Sequence, residues 1–467
     1  MEHTDLTGVQ QIDPSMERKI TPGFLFRFAL PTIIAFVGMG VFGVIDGIFA
    51  ARFIDAYALS AVGLVMPFMM FALSIGFMLG IGGNALVAKE VGEGNIVYAR
   101  KDFSLISIAV LILSVAVTAI GLIIPDTILN ILGVDAEVFD ISKEYMMVIL
   151  PFIPLGVLGN AFQQFMITEG KAHISMVATI AAGLVSVLLN YIFIYRMGLG
   201  LTGAGLSTGI GYALPALTGF VFFIYNKFNK NGILYFVKPK LKLFVLTKSA
   251  SNGISQMIMM LAASVTVTVM NNVLMRLDGP MAVAAVGVTG AVQGLAANIY
   301  IGYSSGVAPI ISYNYGKGDT GNLKKIVKIS LFIVTCMAVV LNILTFLFPH
   351  LFIAIYDIDP WIYFDGFIMS LPVYDMSFTG IRLVSFGFVF MAFVQFASTM
   401  FTSLNDGKTA GVIALFNVFI FTLAFIFLFS HFWGVTGVFL SLPAQDAGAS
   451  LIAGFLFLRF RKKFKYA

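Results

Sequence analysis

Two carboxylates are the residues most able to do chemistry, because each lies within a run of apolar residues long enough to cross a membrane. Asp46 stands in the segment 44–49, and Asp446 stands beside Gln445 in a later segment of small and apolar residues. Burial disfavours the charged form of a carboxylate, so such a group can take up and release a proton, or bind Na⁺ when other oxygen atoms are close. We interpret Asp46 as an ion-coupling residue, with a structural hydrogen bond to a neighbouring helix as the alternative.

Asp446 is open to more than one interpretation. The adjoining Gln445 and the small residues around it favour a polar contact between helices, while ion coupling and a place in the wall of a cavity are alternatives. Five further polar side chains within apolar runs are candidates for lining the same cavity: Gln163, Gln256, Asn272, Gln293 and Gln395. Each of these also suits a hydrogen bond between two helices, so both interpretations stay open.

Oxygen-bearing side chains on two later segments are candidates for completing a site around Asp46. Ser186 and Asn190 are four residues apart, which places them on one face of a helix. Asn190 and Thr208 could add oxygen ligands beside Asp46, so Na⁺ at Asp46, Asn190 and Thr208 is one candidate. Residues 203–208 are small apart from Leu206, however, and close packing of helices explains much of that pattern.

Pro31 precedes Asp46 by fifteen residues on the same predicted helix. A proline inside a helix leaves a carbonyl group unpaired and favours a kink. The helix could therefore bend at Pro31 when Asp46 changes its charge. A static kink, or a helix start at the membrane edge, is the alternative.

Membrane-spanning helices must position these residues. Hydrophobic residues make up 59% of the 467-residue chain and charged residues only 11%, whereas soluble domains average about 25% charged residues. The mean hydropathy is +0.97. A spanning helix needs about 20 mostly apolar residues, and the chain has twelve such runs. We number them as spans 1 to 12: 23–50, 57–84, 100–124, 142–168, 172–196, 202–226, 246–275, 281–313, 324–348, 377–404, 408–430 and 434–459.

The first half of the chain recurs in the second half. Residues 61–63 return as 285–287, Gly82 as Gly306, and 92–94 as 316–318, all with an offset of 224. We predict an all-α membrane protein with twelve transmembrane helices in two six-helix lobes related by a parallel internal repeat, an arrangement typical of secondary transporters. The predicted parts are an N-terminal tail (1–20), an N-lobe with spans 1–6 (21–227), an inter-lobe linker (228–245), a C-lobe with spans 7–12 (246–460) and a basic C-terminal tail (461–467).

The distribution of charge predicts the orientation. Lys and Arg number 23 on one face of the spans and five on the other, and the face rich in them is normally cytoplasmic. We expect a multi-pass protein of the plasma membrane, embedded in the lipid bilayer, with both tails and the linker in the cytoplasm. The start of the chain lacks the order of a cleaved signal peptide. The basic residues lie in short loops, so the net charge of +5 indicates no nucleic-acid partner.

Several segments of the chain, taken together, match a known family of proteins. They are Pro31, 44–52, 82–85 with 92–94, 190–195 with 203–204, and 312–316. They resemble the MATE (multidrug and toxic compound extrusion) transporters, and the likeness extends over nearly the whole chain from about residue 20 to residue 460. It is greatest to the bacterial MepA-like and DinF-like branches. The resemblance implies a twelve-helix, V-shaped antiporter that exports small cationic drugs in exchange for H⁺ or Na⁺, without a cofactor or an obligate protein partner.

The resemblance also implies an ion site in the N-lobe. Some members of the family have an acid on span 1, an Asn and an Asp four apart on span 5, and a Thr on span 6. Asp46 falls on the first acid, Thr208 on the threonine, and Ser186 and Asn190 on the pair. Here Ser replaces Asn and Asn replaces the second acid, so one carboxylate is left, which favours H⁺. The family's alternative site in the C-lobe has a Glu on span 7, yet 246–275 contains no acid.

Two other functions compete with this prediction. A flippase for lipid-linked sugars or another amphipathic metabolite would hold its diphosphate with several buried cations, and the spans contain almost none beyond Arg382. An enzyme is disfavoured because the Gly302–Gly306 match to G-x-S-x-G lies in a spanning helix without a histidine partner. The single cysteine, Cys336, excludes a disulfide scaffold and a cysteine-based metal site. We therefore expect no enzymatic activity and no bound metal other than a coupling ion.

Overall fold

The computed structural model describes residues 19–54, 56–229, 232–354, 361–364, 367–370 and 372–466. The chain is almost entirely helical in these residues. The helices are α1 (Pro22–Phe53), α2 (Ala56–Gly92), α3 (Ile96–Ile123), α4 (Pro125–Ile131), α5 (Ala136–Ile149), α6 (Ile153–Thr168), α7 (Ala172–Asn190), α8 (Gly200–Asn229), α9 (Leu243–Lys317), α10 (Thr320–Leu347), α11 (Pro349–Ala354), α12 (Pro372–Ser385), α13 (Phe388–Ser403), α14 (Gly407–Leu415) and α15 (Thr422–Phe464).

Shorter elements complete the description. A turn of 3-10 helix, Leu150–Phe152, joins α5 to α6, and a π-helix at Tyr191–Arg196 extends α7. A second π-helix, Phe416–Phe421, joins α14 to α15. Two strands, β1 (Trp361–Phe364) and β2 (Phe367–Ser370), pair antiparallel between α11 and α12. Residues 1–18 of the predicted tail lie outside the described residues, and so do Asp357, Asp359 and Asp365 between spans 9 and 10.

Twelve spans result once the longest helices are divided at their breaks. As one straight rod, α9 would be about 110 Å long, far beyond the ~30 Å of the hydrocarbon layer, and it breaks at Asp278 and Gly279. The chain breaks again within α15 at Gly434, where φ is 57°. A bend of 51° joins α12 and α13 into one span. The prediction of an all-α fold with twelve spans is confirmed.

The spans correspond to the helices in a simple order. Spans 1, 2 and 3 are α1, α2 and α3, span 4 is α5 with α6, span 5 is α7 with its π-helix, span 6 is α8, spans 7 and 8 are the two parts of α9, span 9 is α10, span 10 is α12 with α13, and spans 11 and 12 lie before and after Gly434. We call the end of the molecule that carries the connections 93–95, 169–171, 232–242, 318–319 and 404–406 the basic face.

The two lobes contact each other through residues that the internal repeat relates. Gly92 leaves no room for a side chain because the Tyr313 carbonyl group lies against it, and Gly316 meets the Lys89 carbonyl group in the same way. The offset of 224 converts each of these contacts into the other. Deeper in the membrane, Gly82 of span 2 packs on Gly253 of span 7. The offset of 224 relates this contact to the one that Gly306 makes with Ala29. The repeat is therefore also the pseudo-twofold relation between the lobes.

Span 1 belongs to the N-lobe by sequence, but its first turns pack against the C-lobe. Leu25, Ala29 and Ile33 are buried in the same hydrophobic cluster as Tyr300 of span 8. Close contact is possible because Gly302 and Gly306 present only backbone to Ile33 and Ala29. The helix α1 continues through Pro31 without a break, so the predicted kink at this residue stays a prediction.

The linker between the lobes was predicted to cover 228–245. Because α8 continues to Asn229 and α9 begins at Leu243, the extended stretch within the described residues covers 232–242. It lies along the N-lobe at the basic face, where the Arg100 guanidinium donates to the Ile233 carbonyl oxygen and to the Tyr235 hydroxyl, each at 2.7 Å.

Glu169 holds the same stretch from the opposite side. Its carboxylate accepts hydrogen bonds from the backbone N–H groups of Ile233, at 3.2 Å, and of Leu234. The side chain is only 4% exposed, and this burial raises the pKa of Glu169 to about 7, although the two N–H groups and Arg100 oppose the shift. The linker is thus attached to the N-lobe by a buried acid that titrates near neutral pH.

Candidate functional site

Spans 1 and 5 run side by side in the same direction, and small residues bring them together. Gly38 on span 1 lies against Ile180, and one turn later the ring of Phe42 packs directly on Gly183. A side chain at Gly183 would occupy the position of that ring. The next turn of span 1 carries Asp46, which is thereby placed opposite the end of α7.

Asp46 is joined to span 5 and span 6 by a chain of hydrogen bonds. The amide Nδ2 of Asn190 donates to Asp46 Oδ1 at 2.6 Å. The Oδ1 atom of Asn190 in turn accepts a hydrogen bond from the hydroxyl group of Ser207. Asn190 is 2% exposed and Ser207 is fully buried. Ser207 therefore fixes the amide of Asn190 with its N–H group towards the carboxylate.

The other two predicted members of this site are placed differently. Ser186 is buried close to Asp46, but its Oγ atom makes no hydrogen bond of normal length to a described residue. Thr208 is only half buried, and no hydrogen bond from its side chain to another residue is observed in the described part of the chain. The structure thus brings Asp46, Ser186 and Asn190 close together, and from span 6 it is Ser207, not Thr208, that contacts Asn190.

A pattern in the sequence could have identified Ser207. Gly203, Ser207 and Gly211 are spaced by four residues, which puts three small residues on one helix face. Gly211 faces Ala182 and Ser186 of span 5, so this is the face of span 6 that lies on span 5. Thr208 is turned about 100° away from it.

The carboxylate of Asp46 has no basic partner among the described residues, since the ion pairs there join other acids. The phenol groups of Tyr145 and Tyr212 lie near enough to interact with it electrostatically. An unpaired carboxylate within a spanning helix is costly, and it is relieved by a proton or by a bound cation. The site is therefore suited to reversible ion binding.

A π-helix begins directly after Asn190, at Tyr191. The corresponding span of the C-lobe, span 11, contains the second π-helix, at Phe416–Phe421. Such wide turns are rare and occur frequently at functional sites, because they shift the side chains that follow and loosen the backbone hydrogen bonds. The repeat thus places one irregular turn in each lobe.

Span 8 is in close contact with span 1 in its half nearer the basic face. Gly302 and Gly306 pack on span 1, and Asn298 contacts Gly40. Further along span 8, the glycines at 287, 290 and 294 have no neighbouring atom within 4 Å, and the same holds for Gly43 on span 1. We interpret these open positions as a cleft between the lobes at the face opposite the basic face, with Asp46 one turn beyond Gly43.

The residues predicted to line a cavity lie in several environments. Gln163, Gln256 and Gln395 are buried, and Asp446 is buried with them. Gln163 faces Thr179 at 3.4 Å and Gln395 faces Thr399 at 3.4 Å. Gln293 is half buried, while Asn272 is exposed and donates to the Thr268 carbonyl oxygen at 3.0 Å. In the described part of the chain, no three His, Cys, Asp or Glu side chains are grouped to hold a metal ion.

Comparison with known proteins identifies the family. The sequence profile of the MatE family matches residues 31–192 and 255–428. The chain belongs to this family, whose members are membrane transporters rather than enzymes. The multidrug export protein MepA of Staphylococcus haemolyticus is 25% identical over 447 residues, which cover 94% of each chain. The protein of the same name from Staphylococcus saprophyticus is 24% identical over 429 residues, or 92% of each chain.

Solved structures show the same fold. A multidrug resistance MATE family transporter of the MOP superfamily in its outward-facing conformation superposes with a TM-score of 0.86 at 21% identity, over 98% of this chain and 99% of the other. A MATE protein in complex with MaD3S gives a TM-score of 0.86 at 20% identity, over 97% and 98% of the two chains. The two-lobed arrangement is therefore that of the MATE transporters.

Proposed function

We propose that the protein is a secondary active multidrug efflux antiporter of the plasma membrane, which exports organic cations in exchange for H⁺. The observation that carries the proposal is the carboxylate of Asp46, held by Asn190 on a wall of the cleft with no basic partner among the described residues. Relatives that are similar over more than nine-tenths of their length are multidrug export proteins.

The orientation of the cleft supports export. Lys and Arg are concentrated on the basic face, which is therefore the cytoplasmic one. The lobes touch at this face through Gly92 and Gly316 and part at the other. The described conformation is then open to the outside, where the cation leaves and a proton reaches Asp46.

The hydrogen bonds around Asp46 favour H⁺ over Na⁺ as the coupling ion. Asn190 presents its N–H donor to Asp46, and its oxygen atom is already bonded to Ser207. A hard cation such as Na⁺ needs oxygen atoms from several groups, and here one of the candidate ligands is turned away. A proton needs only the free oxygen atom of the carboxylate.

Exchange follows because a proton and an organic cation compete for the negative charge of Asp46. With Asp46 ionised, the cleft attracts an organic cation, whereas a proton on Asp46 removes that attraction. By linkage, the proton and the cation must weaken each other's binding by the same factor. An inward-directed proton gradient would then drive the cation outwards.

Transport of a fluorescent organic cation in reconstituted vesicles tests the proposal, under an imposed H⁺ gradient and then a Na⁺ gradient. We expect the H⁺ gradient to drive transport by the wild type and not by Asp46→Asn. Asp126→Asn is the matched control, because this exposed acid pairs with Lys143 away from the cleft. Transport driven only by Na⁺ would overturn the choice of ion, and equal H⁺-driven rates in Asp46→Asn and wild type would remove Asp46 from the mechanism.

A further inference from the structure

A second buried carboxylate lies in the C-lobe. Asp446 on span 12 is 4% exposed, and it forms no ion pair with a described residue. The charged groups of neighbouring spans do not neutralise it. Arg382 on span 10 donates to the Phe346 carbonyl oxygen and lies over the ring of Phe378, and the ionisable group that interacts with Asp446 from span 8 is Tyr300.

Two unpartnered polar atoms accompany this carboxylate. Asn417, from the π-helix of span 11, directs its side chain at Asp446, and its Oδ1 atom is buried without a hydrogen bond to any described residue. The hydroxyl group of Tyr300 is likewise buried and lacks a partner there. Buried polar atoms are seldom left unpaired, so these two indicate groups that change partners.

Thr422 links the segments that carry Asn417 and Asp446. The hydroxyl group of Thr422 lies 2.8 Å from the Asn417 carbonyl oxygen, and it also bonds to the side chain of Gln445, the residue next to Asp446. Thr422 therefore connects the end of the π-helix to span 12. This contact accounts for the buried polar side chain of Gln445, but it does not involve the carboxylate of Asp446.

The pocket offers a partner for each protonation state of Asp446. The carboxylate has the side-chain amide of Asn417 as its hydrogen-bond donor, and the hydroxyl group of Tyr300 is a second donor that interacts with it. Rotation of the Asn417 amide would turn its free Oδ1 atom to the O–H group of the neutral acid. Loss or gain of the proton then costs less than it would in an apolar pocket, because a hydrogen bond is available in both states.

We propose that Asp446, with Asn417 and Tyr300, forms a second proton-exchanging site in the C-lobe, so that each transport cycle carries two protons, one in each lobe. One proton moves between water and a carboxylate oxygen of Asp446, and no other bond changes. The two-proton transport cycle rests on the proposed antiport function, but the titration of Asp446 can be measured without transport.

Infrared titration of the purified full-length protein in lipid nanodiscs tests the site directly. The C=O stretch of protonated carboxyl groups is followed from about pH 6 to about pH 9, above the range in which exposed carboxylates titrate. We expect Asp446→Asn to remove one titrating band that Asp46→Asn leaves in place. Glu137→Gln, an exposed acid on the opposite face, is the control and should leave both bands unchanged.

Tyr300→Phe keeps the test informative if Asp446→Asn fails to fold. Loss of the donor to the carboxylate should move the titration of the same band to higher pH by about one unit. A band that Asp446→Asn removes but that does not change with pH would overturn the proposal, because Asp446 would then carry a permanent structural proton. So would a band whose position on the pH scale depends on Na⁺.

The ratio of protons to exported cation completes the test. We expect it to fall from two in the wild type to one in Asp446→Asn, and an unchanged ratio would overturn the two-proton cycle. If gradient-driven transport is absent in the wild type and in Asp446→Asn, while the Asp446 band of the wild type still titrates, the proposed function fails and the proton-exchanging site is confirmed.

Discussion

The side-chain amide of Asn190 donates a 2.6 Å hydrogen bond to the carboxylate of Asp46, which joins the end of α7 to the outer half of span 1. The bond exists because Phe42 lies on Gly183 one turn earlier and draws the two helices together. Asn190 cannot turn freely, since Ser207 holds its other end. The position of the carboxylate thus depends on three spans of one lobe.

Ser207 and Thr208 should respond differently to removal of the hydroxyl group. Ser207→Ala releases the amide of Asn190, and the loss of one buried hydrogen bond of about 1 kcal/mol should lower H⁺-driven transport about fivefold. Thr208→Val keeps shape and removes only a hydroxyl group without an observed partner, so it should stay near the wild-type rate. Initial rates per reconstituted protein decide between them, and the opposite order would show that the amide is held from Thr208.

The contact of Phe42 with Gly183 offers a test with its own rescue. Gly183→Val places methyl groups where the ring lies, which should separate Asp46 from Asn190 and abolish most proton-driven transport, because overpacking costs about 1–3 kcal/mol. Phe42→Ala in the same chain should restore part of the rate. No recovery in the double variant would mean that Gly183 matters for another reason.

Glu169 should make the stability of the protein depend on pH. Its pKa is raised from 4.5 to about 7 by burial, so between these values the folded protein binds more protons than the unfolded chain. Stability from this group is complete below about pH 4.5 and is lost as the pH rises through about 7. The thermal unfolding temperature should fall across this window in the wild type and fall less in Glu169→Gln.

Glu137→Gln is the control for that experiment, since Glu137 is exposed on the face opposite the linker. In this variant, the thermal unfolding temperature should fall with pH as steeply as it does in the wild type. If Glu169→Gln also reproduces it, the carboxyl group does not titrate in this window and the linker is held independently of pH.

The glycines that join the lobes should control the width of the cleft. Gly92→Val and Gly316→Val each drive a side chain into a backbone carbonyl group of the other lobe, which should separate the basic ends and close the opposite ends. Gly454→Val, at a position with no atom within 4 Å, is the control.

A cysteine at Gly290 reports the outcome. With Cys336 first replaced by Ser, maleimide labelling of Gly290→Cys should slow about fivefold or more in the Gly92 and Gly316 variants, because overpacking of 1–3 kcal/mol shifts a two-state equilibrium by at least that much. Equal changes in the two variants would reflect their relation by the repeat. Labelling that stays at the control rate would mean that the contact does not set the cleft.

The fold follows closely from the sequence because its determinants are local. Apolar runs of spanning length and the offset of 224 predict twelve helices and two lobes, and the structure has both. The lengths of spans 7 and 8 were less predictable, since only Asp278 and Gly279 separate them. A two-residue break leaves no polar loop for the sequence to show.

The site followed from the sequence only in part. Asp46 and Asn190 were predictable, as an acid in a span and an amide on a helix face. Ser207 was predictable only through the four-residue spacing of Gly203, Ser207 and Gly211, which indicates the face of span 6 that lies on span 5. Asn417 lies in a π-helix, whose wider turn alters the helical register that a pattern assumes. The burial of Glu169 could not be predicted from its neighbours in sequence, because the backbone that covers it lies more than sixty residues later.

Span 1 is attached to both lobes at once. Ala29 and Ile33 bind it to span 8, while Phe42 and Asp46 bind it to span 5, and Pro31 lies within the first of these two attachments. Rocking of one lobe on the other would therefore bend this helix, and it would bend span 7 as well, because Gly253 packs on span 2 in the equivalent way. Proline lacks the N–H group that would form a hydrogen bond to the preceding turn. The helix therefore bends most easily at Pro31, near the point where its contacts change from the C-lobe to the N-lobe. Span 1 thus connects the two lobes elastically, and under the proposed function a proton at Asp46 would change the attachment of its N-lobe end to span 5.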